Sequence, residues 1–122
     1  MQKKINALCF ENLRDEGNVL SVVRAMSEIV GSTSIVIAAE YLSNVPGGKG
    51  LMLGGFTGVP PTEIVILGAG TVGEYAARTA LALGAEVKVF DSSIYRLRRL
   101  QNNLGSRVFT SVMQPIVLNK AI

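Results

Sequence analysis

The chain has 122 residues, of which 48% are apolar and 17% charged, and its formal net charge is +3. At this size folding buries roughly two thirds of the unfolded surface, so the composition predicts one globular domain and excludes a disordered chain. The sequence has one cysteine and no histidine. This excludes an internal disulfide, a zinc site that needs histidine and acid–base catalysis by histidine.

The distribution of charged and apolar residues argues against two classes of partner. The basic residues do not form a dense cluster and only four Phe and three Tyr are available for stacking, so we expect no nucleic-acid binding. We also expect no membrane partner, because no uninterrupted apolar run reaches the ~18 to 20 residues that a bilayer span needs. Glu11 ends the short apolar start before it resembles a secretory signal. These features predict a cytoplasmic protein whose partner is a small anion.

The first part of the chain predicts a short strand and a long helix. The apolar segment Ile5–Phe10 is typical of a strand, in which Cys9 would be a buried structural thiol. A helix is predicted over Ser27–Ser43, with Ser27 as its N-cap. The segment Asn44–Pro61, rich in Gly and Pro, then interrupts regular structure.

After this interruption, strands and helices alternate regularly. The predicted elements are the strand Glu63–Leu67, the helix Thr71–Leu83, the strand Glu86–Phe90, the helix Ser93–Leu104 and the strand Arg107–Val112. This β-α-β-α-β order favours a parallel sheet with strand order 3-2-1 and right-handed crossovers. We therefore predict an α/β fold with a Rossmann-like parallel sheet. It corresponds to the first half of a doubly wound domain, preceded by the N-terminal strand and helix.

A glycine-rich motif of the form G-x-G-x-x-G joins the first of these strands to the following helix. Gly68 permits a tight turn, Gly70 leaves room for a diphosphate, and Gly73 allows the helix to pack closely on the strand. The free backbone amides near Thr71 and Val72 would then point at the anion. The alternative is a set of loop glycines with no ligand. The position between strand and helix favours a dinucleotide site.

An acidic residue, Asp91, ends the second strand about 20 residues after the first glycine of the motif. A carboxylate there can accept both ribose hydroxyls of the adenosine half and repels a 2′-phosphate, so NAD is favoured over NADP. The alternative role of Asp91 is that of an N-cap for the helix beginning at Ser93. Arg96, Arg98 and Arg99 form a solvated helix face, or Arg96 lays its stem against the adenosine.

A longer stretch of sequence resembles the alanine dehydrogenase family, which is related to the NAD-binding subunit of proton-translocating transhydrogenase. The resemblance rests on the string GGKGLMLGGFTGVPP at residues 47–61, which runs into the glycine motif at residues 64–73. The segments Ala25–Gly31, Phe90–Asp91 and Arg96–Arg98 fit the same family. The similarity covers the chain from about residue 7 to residue 114.

This resemblance implies an activity and a set of cofactor contacts. Members of the family deaminate L-alanine oxidatively to pyruvate and ammonia and pass the hydride to NAD. By the resemblance, Asp91 would hold the adenosine ribose and Arg96 would flank the adenosine. The backbone at Thr71 and Val72 would meet the pyrophosphate, and Ser27 would touch the bound cofactor.

Other family features have no counterpart in this sequence. The family's substrate-handling Arg, Lys and His, and an Asp in the later half of its NAD domain, are missing, so we predict no catalytic residue and no metal ligand. We expect residues 1–26 to be a remnant of the substrate domain and a linker, and residues 27–122 to be a partial NAD-binding Rossmann domain. L-Alanine and pyruvate would be partners only of the complete enzyme.

Two alternatives stay open for the function. One is the NAD-binding subunit of a transhydrogenase, whose glycine fingerprint is similar. The other is a structural fragment without nucleotide, which self-associates through the uncovered edge of the strand Ile64–Leu67. In either enzyme we expect a homo-oligomer.

Overall fold

The computed structural model describes residues 4–121, so residues 1–3 and 122 of the two predicted domains lie outside the described residues. Its elements are a 3₁₀ turn (Phe10–Asn12), α1 (Ser21–Leu42), β1 (Glu63–Leu67), α2 (Thr71–Ala82), β2 (Glu86–Asp91), α3 (Ile94–Leu104), β3 (Val108–Val112) and α4 (Pro115–Ala121). The predicted β-α-β-α-β order is confirmed.

The three strands form one parallel sheet in the order β1-β2-β3, as predicted. Ile64 of β1 is in register with Val87 of β2, which is in register with Val108 of β3. Val87 and Val89 are fully buried at the centre of the sheet. Their β-branched side chains suit this position because the central strand has neighbours on both edges.

Helices α2 and α3 are the crossovers that parallel strands require. Helix α2 packs against β1 and β2 through small side chains, and Ala77 and Ala80 on it are completely buried. Helix α3 packs against β2 and β3, with Leu97 and Leu100 as its buried residues. The alanine face of α2 brings this helix, and the turn that precedes it, close to the sheet.

Helix α1 starts at Ser21, so the prediction that Ser27 is its N-cap is wrong. Ser27 lies within the helix and its Oγ donates a 2.8 Å hydrogen bond to the carbonyl of Val23, one turn earlier. Serine also bonds to the preceding turn inside helices, so its presence alone does not mark a helix start. Gly31 is buried where α1 packs along α2, and a Cβ there would lie 2.8 Å from Tyr75 Cβ.

Among residues 4–121, one helix, α1, is long and apolar enough to cross a membrane by length and composition. Its best 18-residue window has a mean hydropathy of 1.5, and 11% of that window is buried. This helix is not an uninterrupted apolar run, because Arg24, Glu28 and Glu40 lie among its apolar residues.

The predicted N-terminal strand Ile5–Phe10 is wrong, because residues 4–9 have no regular structure and the 3₁₀ turn begins at Phe10. Ile5 is 78% exposed and Leu8 is 85% exposed. Cys9 is exposed too, so it is not the buried thiol that was predicted. A strand needs a neighbour for its backbone groups, and no described strand pairs with this segment.

The Gly- and Pro-rich segment between α1 and β1 has no regular strand or helix, as predicted, and contains only the isolated bridge between Phe56 and Val59. It returns along the end of α2, where Gly54 has a φ of 113° and leaves no room for a Cβ beside the carbonyl of Leu83. Thr62 N then donates to Gly54 O at 3.0 Å. This contact leads the chain into β1, directly before the glycine motif.

Candidate functional site

The glycine motif forms a tight turn between the carboxyl end of β1 and the start of α2. Gly68 has a φ of 109°, a conformation that favours glycine. Its N–H donates to Phe90 O at 2.7 Å, which continues the β1–β2 pairing into the turn. Ala69 is completely buried. The turn is therefore attached firmly to the end of the sheet, where open α/β folds bind their ligands.

The start of α2 combines unpaired backbone amides with open space. Gly70 occupies the N-cap position, and no side chain in the described part of the chain caps the helix. The first helical hydrogen bond runs from Glu74 N to Gly70 O, at 2.9 Å, so the amides of Thr71 and Val72 precede the hydrogen-bond ladder. A Cβ on Gly70 would meet nothing within 4 Å. These groups offer donors, a positive helix end and room for an anion.

Gly73 has the opposite surroundings. A Cβ on Gly73 would overlap the carbonyl oxygen of Gly68 and lie 3.5 Å from Ile66 Cγ2. The first turn of α2 therefore rests directly on the glycine turn, as the motif predicts. The turn is closed on the side of Gly73 and open on the side of Gly70, and this asymmetry is what a bound diphosphate requires.

Asp91 faces the glycine turn and is 4% exposed. Its Oδ2 accepts a 2.7 Å hydrogen bond from Ala69 N, and its Oδ1 accepts another 2.7 Å bond from Ser93 N. These two bonds, the one from Ala69 first, lower the pKa of the carboxyl group, and nearby Arg96 adds to the effect against the opposing influence of burial. Asp91 is thus a carboxylate at neutral pH, and each oxygen retains a further lone pair for a donor.

The start of α3 shows whether Asp91 is the N-cap of this helix, which is the alternative role considered for it. Ser93 is the N-cap of this helix, and its Oγ accepts a hydrogen bond from Arg96 N. Asp91 lies before the cap and holds the glycine turn instead. Arg96 is largely exposed, and its guanidinium lies 3.9 Å from Asp91 Oδ2. The two side chains therefore adjoin each other beside the turn.

Ser27 lies across from the turn on α1. It lines a cleft of about 630 Å³ together with Gly68, Gly70, Thr71 and Val72. The structure thus brings the predicted residue near the glycine motif, although by way of the middle of a helix and not its start. Its Oγ retains lone pairs that can accept a hydrogen bond while it donates to the backbone.

Three polar residues of the site escaped sequence reasoning. Glu74, 8% exposed in the first turn of α2, accepts a 2.9 Å hydrogen bond from Asn103 Nδ2 of α3. Arg99 lies on the solvated face that was predicted, with 53% of its side chain exposed, and in addition donates from Nη2 to the carbonyl of Ala69 at 3.3 Å. These contacts join residues about 30 positions apart, so no local sequence pattern predicts them. The one sequence feature that pointed to this cluster is Glu74 itself, a glutamate directly after the glycine motif.

Comparison with known proteins agrees with this geometry. Residues 34–122 match the family model described as "Alanine dehydrogenase/PNT, C-terminal domain". The alanine dehydrogenase of Methanococcus maripaludis is 38% identical over 122 residues, which is all of this chain and 33% of that protein. The chain spans about a third of the length of the curated relatives that it matches.

Two solved structures share the fold. An L-alanine dehydrogenase superposes with a TM-score of 0.84 at 37% identity, over 93% of this chain and 31% of that one. A transhydrogenase from Sinorhizobium meliloti superposes with a TM-score of 0.56 at 27% identity, over 82% of this chain and 28% of that one. The family match covers most of the sequence and includes the glycine turn, α2, Asp91 and α3. The chain therefore belongs to the alanine dehydrogenase/PNT C-terminal domain family.

Proposed function

We propose that this chain is the NAD(H)-binding portion of an alanine dehydrogenase, the enzyme that converts L-alanine, NAD and water to pyruvate, ammonia and NADH. The observation that carries the proposal is the uncapped start of α2, open at Gly70, beside the buried carboxylate of Asp91. The relatives named alanine dehydrogenase, which include a solved structure with a TM-score of 0.84, support the same assignment.

The diphosphate would lie against the start of α2. The amides of Gly70, Thr71 and Val72 would donate to its oxygens, and the helix dipole would favour its charge. Gly68 would shape the turn, and Gly73 would keep the helix close beneath it. When bound, NAD supplies the acceptor for the hydride that leaves the α-carbon of alanine. The residues of this chain bind and orient the cofactor, and we assign none of them a catalytic role.

The adenosine side would lie at the end of β2. Asp91 would accept a ribose hydroxyl on its remaining lone pairs, and its negative charge would disfavour the 2′-phosphate of NADP. Arg96 is exposed beside Asp91 and would flank the adenosine. Ser27 would contact the cofactor from α1, across the cleft.

A fluorescence titration with NADH tests this function. We expect weak, saturable binding, because half of a doubly wound fold leaves part of the dinucleotide uncovered. Asp91→Ala should weaken it, whereas Glu86→Ala should not, although it removes the same charge from the exposed opposite end of β2. The assignment would be contradicted if the chain bound NADPH as tightly as NADH, or if Asp91→Ala and Glu86→Ala weakened NADH binding equally.

The second candidate is the NAD-binding subunit of a proton-translocating transhydrogenase. The superposition on the Sinorhizobium meliloti transhydrogenase favours it, although its TM-score and identity are lower than those of the L-alanine dehydrogenase match. Alanine-dependent reduction of NAD by the complete protein would select the first candidate. Hydride exchange between two nicotinamide nucleotides, without alanine, would select the second.

We also propose a homo-oligomer that acts in the cytoplasm without membrane or nucleic-acid partners. Residues 27–122 would form its partial NAD-binding domain, and residues 1–26 would be a remnant of the substrate domain and a linker. L-Alanine and pyruvate would be partners only of the complete enzyme. Self-association is supported by exposed apolar side chains on α1, such as Ile29 at 66% and Val36 at 59%, and by the outer edge of β1, with which no strand within residues 4–121 pairs. Light scattering tests this, and a strictly monomeric species at high concentration would refute it.

A further inference from the structure

We propose that Arg99 is a positioning residue of the dinucleotide site, which it orients through the Ala69–Gly70 peptide. This inference rests on the proposed function, because it concerns the same site. It starts from one contact: Arg99 Nη2 reaches from α3 to the carbonyl oxygen of Ala69, in the middle of the glycine turn, at 3.3 Å.

Because the Ala69–Gly70 peptide is trans, the hydrogen bond from Arg99 to the Ala69 carbonyl also affects the direction of the Gly70 N–H. None of the described peptide bonds is cis, so the C=O of Ala69 and the N–H of Gly70 point in opposite directions across one rigid plane. Holding the carbonyl toward α3 therefore turns the Gly70 N–H away from α3. None of the described residues accepts a hydrogen bond from this N–H. Arg99 thus aims the first donor of the proposed diphosphate cradle.

The preceding peptide is fixed by another charged group. Ala69 N donates to Asp91 Oδ2 at 2.7 Å, so the Gly68–Ala69 peptide also has a set orientation. Its carbonyl oxygen points toward Gly73, where an added Cβ would overlap it. Two oppositely charged side chains therefore bind the centre of the turn: Asp91 accepts from the N–H of Ala69, and Arg99 donates to its C=O.

Arg99, whose side chain is 53% exposed, also forms an ion pair with Glu74, in which its Nε lies 3.9 Å from Oε2. The other carboxylate oxygen of Glu74 accepts from Asn103 Nδ2 at 2.9 Å and from Arg78 Nη2 at 3.4 Å. Glu74 belongs to the first turn of α2, the helix whose amides would hold the diphosphate. One guanidinium therefore joins α3, the glycine turn and the start of α2. A planar fork with several donors suits this bridge better than a single ammonium group.

The test compares three variants of this chain by NADH titration and by the residual dipolar coupling of the Gly70 N–H. Arg99→Met should weaken NADH binding about tenfold, as expected for losing a charged hydrogen bond, and change the Gly70 coupling. Arg98→Met, which removes the same charge from an exposed neighbour, should change affinity less than about twofold. Arg99→Lys should restore the charge but not the affinity or the coupling.

The outcomes separate this inference from the function on which it rests. No NADH binding by the unaltered chain overturns the proposed function, and with it a role for Arg99 in the site. Normal binding that Arg99→Met leaves unchanged overturns the inference alone. Full recovery in Arg99→Lys without recovery of the Gly70 coupling also overturns it, since charge and not orientation would then explain the loss. If Arg99→Met leaves the dipolar coupling of the Gly70 N–H unchanged, the orientation of the Ala69–Gly70 peptide by Arg99 is refuted even without nucleotide.

Discussion

Replacing Gly73 by alanine tests the packing that forms the candidate site. The new Cβ would overlap the carbonyl oxygen of Gly68 and lie 3.0 Å from its carbon, whereas ordinary contacts begin at 3.4 Å. Both neighbouring atoms belong to the backbone, so no side-chain rotation relieves the overlap. The first turn of α2 and the glycine turn must therefore move apart by on the order of 1 Å.

The expected loss of stability follows from this displacement. Overpacking a close contact destabilises a protein by about 1 to 3 kcal/mol, and we expect the upper end because backbone atoms must move. A domain of this size has a free energy of unfolding of roughly 5 to 15 kcal/mol. A change of about 3 kcal/mol would lower Tm by roughly 12 °C, at about 4 °C for each kcal/mol.

Thermal unfolding followed by circular dichroism measures this loss, and Gly70→Ala is its matched control. A Cβ at position 70 meets nothing within 4 Å and the residue has a φ of −77°, which alanine adopts readily. We expect Gly70→Ala to change stability by less than about 1 kcal/mol, because the altered cap and the reduced chain entropy offset each other. It should nevertheless weaken NADH binding, since its methyl group fills the open side of the turn.

We therefore expect Gly73→Ala to lower the stability of the fold, and Gly70→Ala to weaken NADH binding without a large loss of stability. If Gly73→Ala unfolds at the same temperature as the unaltered chain, the close approach between α2 and the turn is refuted. If Gly70→Ala binds NADH as well as the unaltered chain does, the open side at Gly70 is not where the diphosphate lies.

Two further predictions concern pH and helix packing. The amides that donate to Asp91 lower its pKa, so this carboxylate stabilises the fold fully above its ordinary pKa of 3.8 and loses the effect as pH falls through the lowered value. In urea unfolding, Asp91→Asn should thus be less stable than the unaltered chain by about 1 to 3 kcal/mol near neutral pH, and this difference should disappear below pH 3.8. A difference in stability that does not depend on pH would contradict this. Gly31→Ala should destabilise the chain despite alanine's higher helix propensity, because its Cβ collides with the backbone of Val72, whereas Thr33→Ala on the exposed face should not. Equal unfolding midpoints for these two α1 variants would refute the packing.

Much of the fold was predictable because its signals are local. The run Glu63–Leu67 is rich in β-branched residues, and the structure makes it a strand with the predicted bounds. Gly84 and Gly105, both with positive φ, mark the ends of α2 and α3. The glycine motif lies where a strand and a helix signal adjoin, so its position in the turn followed from spacing alone.

The errors arose where structure depends on distant partners. The segment Ile5–Phe10 has the composition of a strand, but a strand requires a neighbour that a local pattern does not reveal. Ser27 has a side chain typical of a helix start, yet it bonds to the preceding turn of a longer helix. Arg99 does lie on the solvated face that the sequence predicts, with 53% of its side chain exposed, but its hydrogen bond to the carbonyl of Ala69 joins residues 30 positions apart and has no local signal. Tertiary contacts decide such cases.

The most direct measurement of the proposed site is an amide NMR titration of the isotope-labelled chain with ADP-ribose, which carries the adenosine, the diphosphate and the second ribose of the cofactor without the nicotinamide. If the start of α2 binds the diphosphate, the largest shifts will fall on the amides of Gly70, Thr71 and Val72, with a second group around Asp91. Shifts confined to other elements, or none at millimolar ligand, would contradict the account.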